Sequence, residues 1–331
     1  MSLELLLPGE LAMKPNSSIN PAAVGSRSHD AGVQVLTILK ALDYRFVTPT
    51  PATHGKVLQH PGRTRAADIR DIFGWSLPFS AGVLPLDLFN ALRASDGLLE
   101  DEAGYWSRYR VASLGEDLFL HAAFPPSSDD AVFFGPDTYR FARFLRQVIG
   151  STTVERVIDI GAGSGAGAVV AARAGRAKSL ILTDVNSVAL ATAQMNLEAG
   201  GLTGDYRLGS GLATVPEEAD LIIANPPFIA GDSGRTYRDG GDMKGARLSL
   251  NWALAAAKQL APEGRFILYT GSAIVNGVDG LREALTSRLN GELFELKYEE
   301  LDPDIFGDQL SAPGYENVER IAAIGAVISR R

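Results

Sequence analysis

Residues 157–168 read VIDIGAGSGAGA. A short apolar run ends in glycines at 161, 163 and 165, and small residues then open a helical segment. This predicts a buried strand, a tight turn and a helix. Glycines at such a turn let backbone N–H groups approach a ligand with no Cβ in the way. Gly161, Gly163 and Ala166 nearly match the dinucleotide-binding spacing, and a tight turn with no ligand would look the same. Asp159 helps to choose. An acid two residues before Gly161 would repel a pyrophosphate and favour a cationic ligand. Asp159, Gly161, Ala162, Gly163 and Gly165 are therefore candidate cofactor contacts.

Outward from this turn, apolar strands alternate with helical segments. VERVIDIGAG precedes a helix near 165–175, and KSLILTDV precedes one near 187–199. DYRLGS, ADLIIANPP, a helix near 246–260, GRFILYTG, a helix near 278–289, ELFELKYEEL and RIAAIGAVIS follow. That rhythm predicts an α/β fold: a seven-stranded, mostly parallel, doubly wound (Rossmann-like) sheet covered on both faces. No helix separates the last two strands, so one of them should run antiparallel. At the end of the second strand, Asp184, with Val185 beside it, is placed to accept two ribose hydroxyls. NAD would fit that acid equally well. The rival role is the N-cap of the next helix, which Asn186 would fill instead.

The fourth strand ends in ANPPF, with Asn225, Pro226, Pro227 and Phe228. Two successive prolines fix φ and cannot donate to a sheet, so the strand must stop in a stiff, extended exit. Together with the glycine turn and Asp184, this resembles the class I S-adenosylmethionine-dependent methyltransferases. Within them it is similar to the HemK-like "methyltransferase small domain" branch, which methylates planar nitrogens. The resemblance covers residues 130–331. It implies S-adenosyl-L-methionine as cofactor, with Asn225 to Phe228 catalytic and Asn225 also beside the cofactor. FFGPDTYRFA, before the first strand, and RTYRDGG, after the signature, are also similar to segments of that branch, which marks Tyr139, Arg238 and Asp239 as substrate candidates. The family's frequent acid after the third strand is missing from LGSGLA, leaving Ser210 as the adenine candidate. Glutamine methyltransferases of the branch usually end the signature in Tyr. Phe is commoner in the ribosomal-RNA guanine methyltransferases. The implied partner is a protein glutamine or an RNA base.

Ahead of this α/β domain, set at 137–331, the expected parts are a lead-in (1–29), a small α+β domain (30–124) and a linker (125–136). In the small domain, 30–43 reads as a helix capped by Asp30, and 54–64 as a loop. Helices follow within 65–74 and 85–97, and then a hairpin over 105–124. Three helices and a hairpin are the order of a winged helix, and Lys56, Arg63, Arg65 and Arg70 would be its phosphate contacts or a solvated face. The chain of 331 residues has no cysteine, four histidines without metal-ligand spacing, and a net charge of −8. This excludes disulfides and argues against a resident metal and a broadly basic surface. No apolar run is long enough to span a membrane and the start carries no basic leader, so the expected location is cytoplasmic. An apolar stripe around Trp252 reads as core. The competing functional classes are a nicotinamide-dependent oxidoreductase and a non-catalytic nucleic-acid-binding module.

Overall fold

The computed structural model describes residues 26–126, 128–228, 243–289 and 291–331. Arg238 and Asp239 lie outside the described residues. The front part begins with helix α1 (Ser26–Ala41), so Asp30 sits inside the first helix rather than capping it. Helix α2 (Pro51–Leu58) occupies part of the expected loop. Proline suits the first helical position, and the Thr50 hydroxyl accepts the Thr53 N–H at 3.2 Å. Helices α3 (Ile69–Phe73) and α4 (Leu86–Ala94) follow. Two hairpins come next where one was expected: β1 (Leu98–Asp101) with β2 (Gly104–Ser107), and β3 (Tyr109–Leu114) with β4 (Asp117–Ala122). Leu36, Leu39, Phe73, Leu88, Leu92 and Leu120 form the centre of this part.

Helix α5 (Pro136–Ile149) leads into the sheet. The elements are then β5 (Arg156–Ile160), α6 (Ala166–Gly175), β6 (Ser179–Asp184), α7 (Ser187–Ala199), β7 (Asp205–Leu208) and β8 (Ala219–Ala224). After them come α8 (Arg247–Gln259), β9 (Leu260–Val275), β10 (Val278–Asp279), α9 (Gly280–Arg288), β11 (Phe294–Asp302) and β12 (Arg320–Arg330). The sheet order is β11-β12-β9-β8-β5-β6-β7, with the two-residue β10 pairing β9. β12 is antiparallel to both of its neighbours, and the β9-β8-β5-β6-β7 pairings are parallel. The expected doubly wound sheet is present, with β12 reversed and the short β10 folded back antiparallel on β9.

Its strands are apolar on both faces because helices cover both. Phe141 of α5, Val169 of α6 and Leu197 of α7 pack one face, and Leu250 of α8 and Leu281 of α9 pack the other. The chain moves outward from β5 through β6 to β7, then returns to place β8 beside β5. A parallel sheet opens a crevice beyond its strand ends at such a reversal.

The front part is fastened to the sheet domain through α7. Met195 of α7 joins the front core. Asn196, 1% exposed, accepts the Leu120 N–H at 2.7 Å and donates to the Leu120 carbonyl at 3.0 Å. Its amide also donates to the Ser164 carbonyl at 2.9 Å. One side chain thus satisfies the free edge of β4 and holds the glycine turn. Residues 125–136, read as a linker, are more than a spacer: Ala131, Val132 and Phe134 are buried. Among the described residues no helix is long and apolar enough to cross a membrane.

Candidate active site

The carboxyl ends of β5, β6 and β8 open onto a cavity of about 680 Å³. That is the size of a site for a small molecule or cofactor. The glycine turn forms one wall. Gly161, Gly163 and Gly165 have φ of 66°, 53° and 75°, which L side chains adopt only with strain. A Cβ on Gly161 would come within 2.8 Å of the Trp252 ring, and one on Gly165 within 2.8 Å of Leu197. Beside Gly163 there is open space, and this glycine lines the cavity. Packing therefore fixes the two outer glycines and leaves the middle one bare toward a ligand. The Thr183 carbonyl accepts the Gly161 and Ala162 N–H groups at 2.8 and 3.0 Å, which ties the turn to β6.

Asp184, at the end of β6, accepts the Gly163 N–H on Oδ2 and the Asn186 N–H on Oδ1, both at 2.9 Å. The cap of α7 is Asn186, whose Oδ1 accepts the Val188 and Ala189 N–H groups at 2.9 and 3.4 Å. The helix thus has its cap without Asp184, whose carboxylate faces the cavity with lone pairs to spare. Burial raises its pKa, against the N–H groups of Asn186, Gly163 and Val185. Asp159 is deeper, 2% exposed, and accepts the Ala168 N–H at 2.8 Å. Burial, with the Asp184 charge adding to it, pushes its carboxyl up to about 8 despite that bond. A buried acid pair of this kind favours a positively charged ligand.

Asn225, Pro226, Pro227 and Phe228 all line the cavity. The Phe228 ring lies on Gly271 of β9, where a Cβ would be 2.3 Å from it. Its edge meets Phe306, with ring centroids 5.6 Å apart at 67°. Val185 and Ser210 are also on the wall. Every candidate named for the cofactor lines the cavity except Gly165, which instead packs against α7.

Tyr139 is not on the wall. Its hydroxyl accepts the Thr48 N–H at 3.0 Å, and its ring packs edge-on against Phe134, so it joins α5 to the front part. Its neighbours Asp137 and Thr138 face the cavity instead, as does Phe141, one turn on. Successive helical residues point about 100° apart, so this segment reaches the cavity through Asp137 and Thr138 while Tyr139 turns to the front part. Asp137 is held by the Tyr269 hydroxyl at 2.6 Å, and burial raises its pKa. Trp252, read as core, is half-buried: it packs on the α8 side and also forms cavity wall under Gly161 and Gly211. Phe133 from the supposed linker and Phe306 from the β11–β12 connection were not anticipated. The first had a signal in its apolar neighbours. The second had none, being far along the chain in an irregular stretch.

Residues 128–270 match a family model described as "Methyltransferase small domain". Among curated proteins, the release factor glutamine methyltransferase of Cereibacter sphaeroides is 36% identical over 143 residues, covering 39% of this chain and 51% of the relative. The ribosomal RNA small subunit methyltransferase C of Pseudomonas entomophila is 33% identical over 101 residues, 27% of this chain and 30% of the relative. The chain thus spans about half, or less, of the length of these curated relatives. A solved 16S rRNA methyltransferase of T. Thermophilus, in complex with AdoMet and guanosine, is 16% identical with a TM-score of 0.45, covering 77% of this chain and 64% of that one.

Proposed function

We propose that the protein, whose residues 128–270 match the methyltransferase small domain family model, is an S-adenosylmethionine-dependent N-methyltransferase acting on a planar NH₂ group. The observation that carries this reading is the position of Asn225-Pro226-Pro227-Phe228 on the wall that also holds Gly161, Gly163 and Asp184. A nicotinamide site would account for the glycines and the acid but not for the Asn-Pro-Pro-Phe exit.

The residues fit the cofactor. Asp184 would take the ribose hydroxyls, with the bare Gly163 backbone and buried Asp159 beside the charged amino-acid part. Val185 and Ser210 would flank the adenine. When bound, S-adenosyl-L-methionine supplies an electrophilic methyl group on a sulfonium sulfur.

The chain's own task is to prepare the nitrogen. An amide or aromatic amine nitrogen delocalises its lone pair and is a poor nucleophile. The Asn225 side-chain oxygen and the Pro226 carbonyl would accept its two N–H bonds and turn the lone pair toward the methyl. These bonds strengthen as positive charge grows on nitrogen, so they favour the transition state over the bound substrate. Pro226 and Pro227 keep the acceptors from relaxing, and Phe228 gives the flat group an apolar face.

The acceptor is a protein glutamine or the exocyclic amine of an RNA base, the two kinds of substrate named for the relatives. Calorimetry with S-adenosylmethionine and with NADH tests the first step. Binding of NADH alone would overturn the reading. Transfer of a tritiated methyl from the cofactor into lysate, followed by separate protease and RNase digestion, tests the second.

A further inference from the structure

Phe306 sits in the connection between β11 and β12, beyond the 128–270 family match, yet its ring is on the cavity wall. Its backbone φ is 57°, in the left-handed region. A bulky aromatic residue there is an outlier, and such strain persists only where the surroundings enforce it. They do so here. The N–H of neighbouring Ile305 donates to the Ile321 carbonyl at 2.7 Å, and the Phe306 carbonyl accepts the Gln309 N–H at 2.8 Å. Further on, Lys244 Nζ donates to the Gly314 carbonyl, and Tyr315 donates to the Lys244 carbonyl at 3.4 Å, fixing the connection against the segment before α8. Glycine would take this backbone without strain and asparagine with little. What the strained position delivers is an aromatic ring, set at 67° against the edge of Phe228.

Resting on the methyltransferase reading, we infer that Phe306 is the specificity-determining residue of the acceptor site, and that its ring and Phe228 form an aromatic corner gripping a heteroaromatic base, so that the acceptor is a nucleobase amine of RNA rather than a glutamine amide. Both acceptors present the same NH₂ to Asn225 and Pro226, so those two groups cannot tell them apart. The difference lies in what is attached. A base brings a broad π face, which stacks on one ring while its rim meets another. A glutamine amide brings three heavy atoms on a flexible stem and gains little from a second ring. Single-stranded RNA is read by such stacking on aromatic side chains. The selectivity for a base thus resides in the C-terminal connection, beside the reacting nitrogen.

The test uses the full chain loaded with S-adenosylhomocysteine. Saturation-transfer NMR is recorded with adenosine, guanosine and cytidine, and with N-acetylglutamine amide. At least one nucleoside binds, and the amide gives no signal. Phe306→Gly, which accepts the left-handed backbone and so folds, weakens that nucleoside by about tenfold, the low-to-middle range for loss of one aromatic stack. Phe306→Tyr keeps the face and restores binding. Both variants hold S-adenosylhomocysteine as the wild type does. Binding of the glutamine amide but of no nucleoside overturns the inference and leaves the methyltransferase reading standing. So does a Phe306→Gly variant with unchanged nucleoside affinity. If S-adenosylhomocysteine itself fails to bind, the methyltransferase reading falls first and the inference with it.

Discussion

Replacing Asn196 with leucine removes one side chain and strands three backbone groups. The Leu120 N–H, the Leu120 carbonyl and the Ser164 carbonyl lose partners now at 2.7, 3.0 and 2.9 Å. Leucine keeps the branching and heavy-atom count of asparagine, so no cavity is left, and its larger volume adds some overpacking to the lost hydrogen bonds. A buried polar group left without its partner costs about 1–3 kcal/mol. Three such groups give about 3 kcal/mol if the backbone can shift toward water, and roughly twice that if it cannot. The lower figure corresponds to a fall of roughly 6–12 °C in melting temperature, on the scaling for domains of 150–250 residues. The Ser164 carbonyl lies in the glycine turn, so the same substitution should also loosen the cofactor wall and weaken S-adenosylmethionine binding.

A control separates the two effects. Leu92 is fully buried in the front core, and truncating such a leucine to alanine costs about 2–5 kcal/mol. Leu92→Ala should lower the melting temperature to a similar extent with cofactor affinity intact. Asn196→Leu should lower both. Urea or thermal unfolding and calorimetry on the three proteins give the answer. An Asn196→Leu variant that melts with the wild type refutes the clasp. Equal losses of affinity in both variants would mean that general destabilisation, not the turn, is responsible.

The charged wall gives three more outcomes. Asp159 holds its proton up to about 8 in the folded chain, while an unfolded aspartate releases it near 4. The folded state therefore binds more protons between those values, and stability falls as pH rises from about 4 through about 8. Asp159→Asn should flatten that fall in urea midpoints measured between about pH 5 and 9, and an unaltered slope would count against it. Asp184→Ala should leave the fold intact and strongly weaken S-adenosylmethionine in calorimetry, whereas unchanged affinity removes it from the site. Asn225→Ala should keep cofactor affinity near normal and slow methyl transfer by about 10²–10³, as for loss of one preorganised acceptor. A wild-type rate on the true substrate would refute its assigned role.

The sheet was legible because burial on both faces leaves continuous apolar strands, and their alternation with helices admits few topologies. The glycine turn was legible because three positive φ angles in five residues leave little choice but glycine. Which face of a helix meets the cavity was harder to read than which segment does. Tyr139 is the conspicuous residue of its segment, yet helical geometry turns it to the front part and sends Asp137 and Thr138 to the cavity. Trp252 satisfies an apolar stripe and also reaches the wall, since a large ring can do both. α2 was hidden because Gly55 and the loop-like residues after it outweighed the Thr50–Pro51 start. Phe306 was out of reach altogether. Only the reversed strand β12 brings its connection back over the end of β9.

That return explains why β8 ends as it does. β8 pairs with β5 and β9 as far as Ala224, opposite Ile160 and Leu268. β9 does not stop there. It runs on to Val275, paired with β12 along Tyr269 to Ile274. The other edge of that extension would suit more of β8, but Pro226 and Pro227 have no N–H to give it. The space the strand would have filled becomes the place where Phe228 lies over Gly271 and meets Phe306. A β8 that continued pairing would commit its carbonyls to the sheet and close the corner between the two rings. Ending the strand at the prolines leaves the Asn225 amide and the Pro226 carbonyl at the cavity wall, where they would serve as the proposed acceptors, with β9 continuing beneath. The same interruption therefore makes room both for the proposed hydrogen-bond acceptors and for the contact between the two rings.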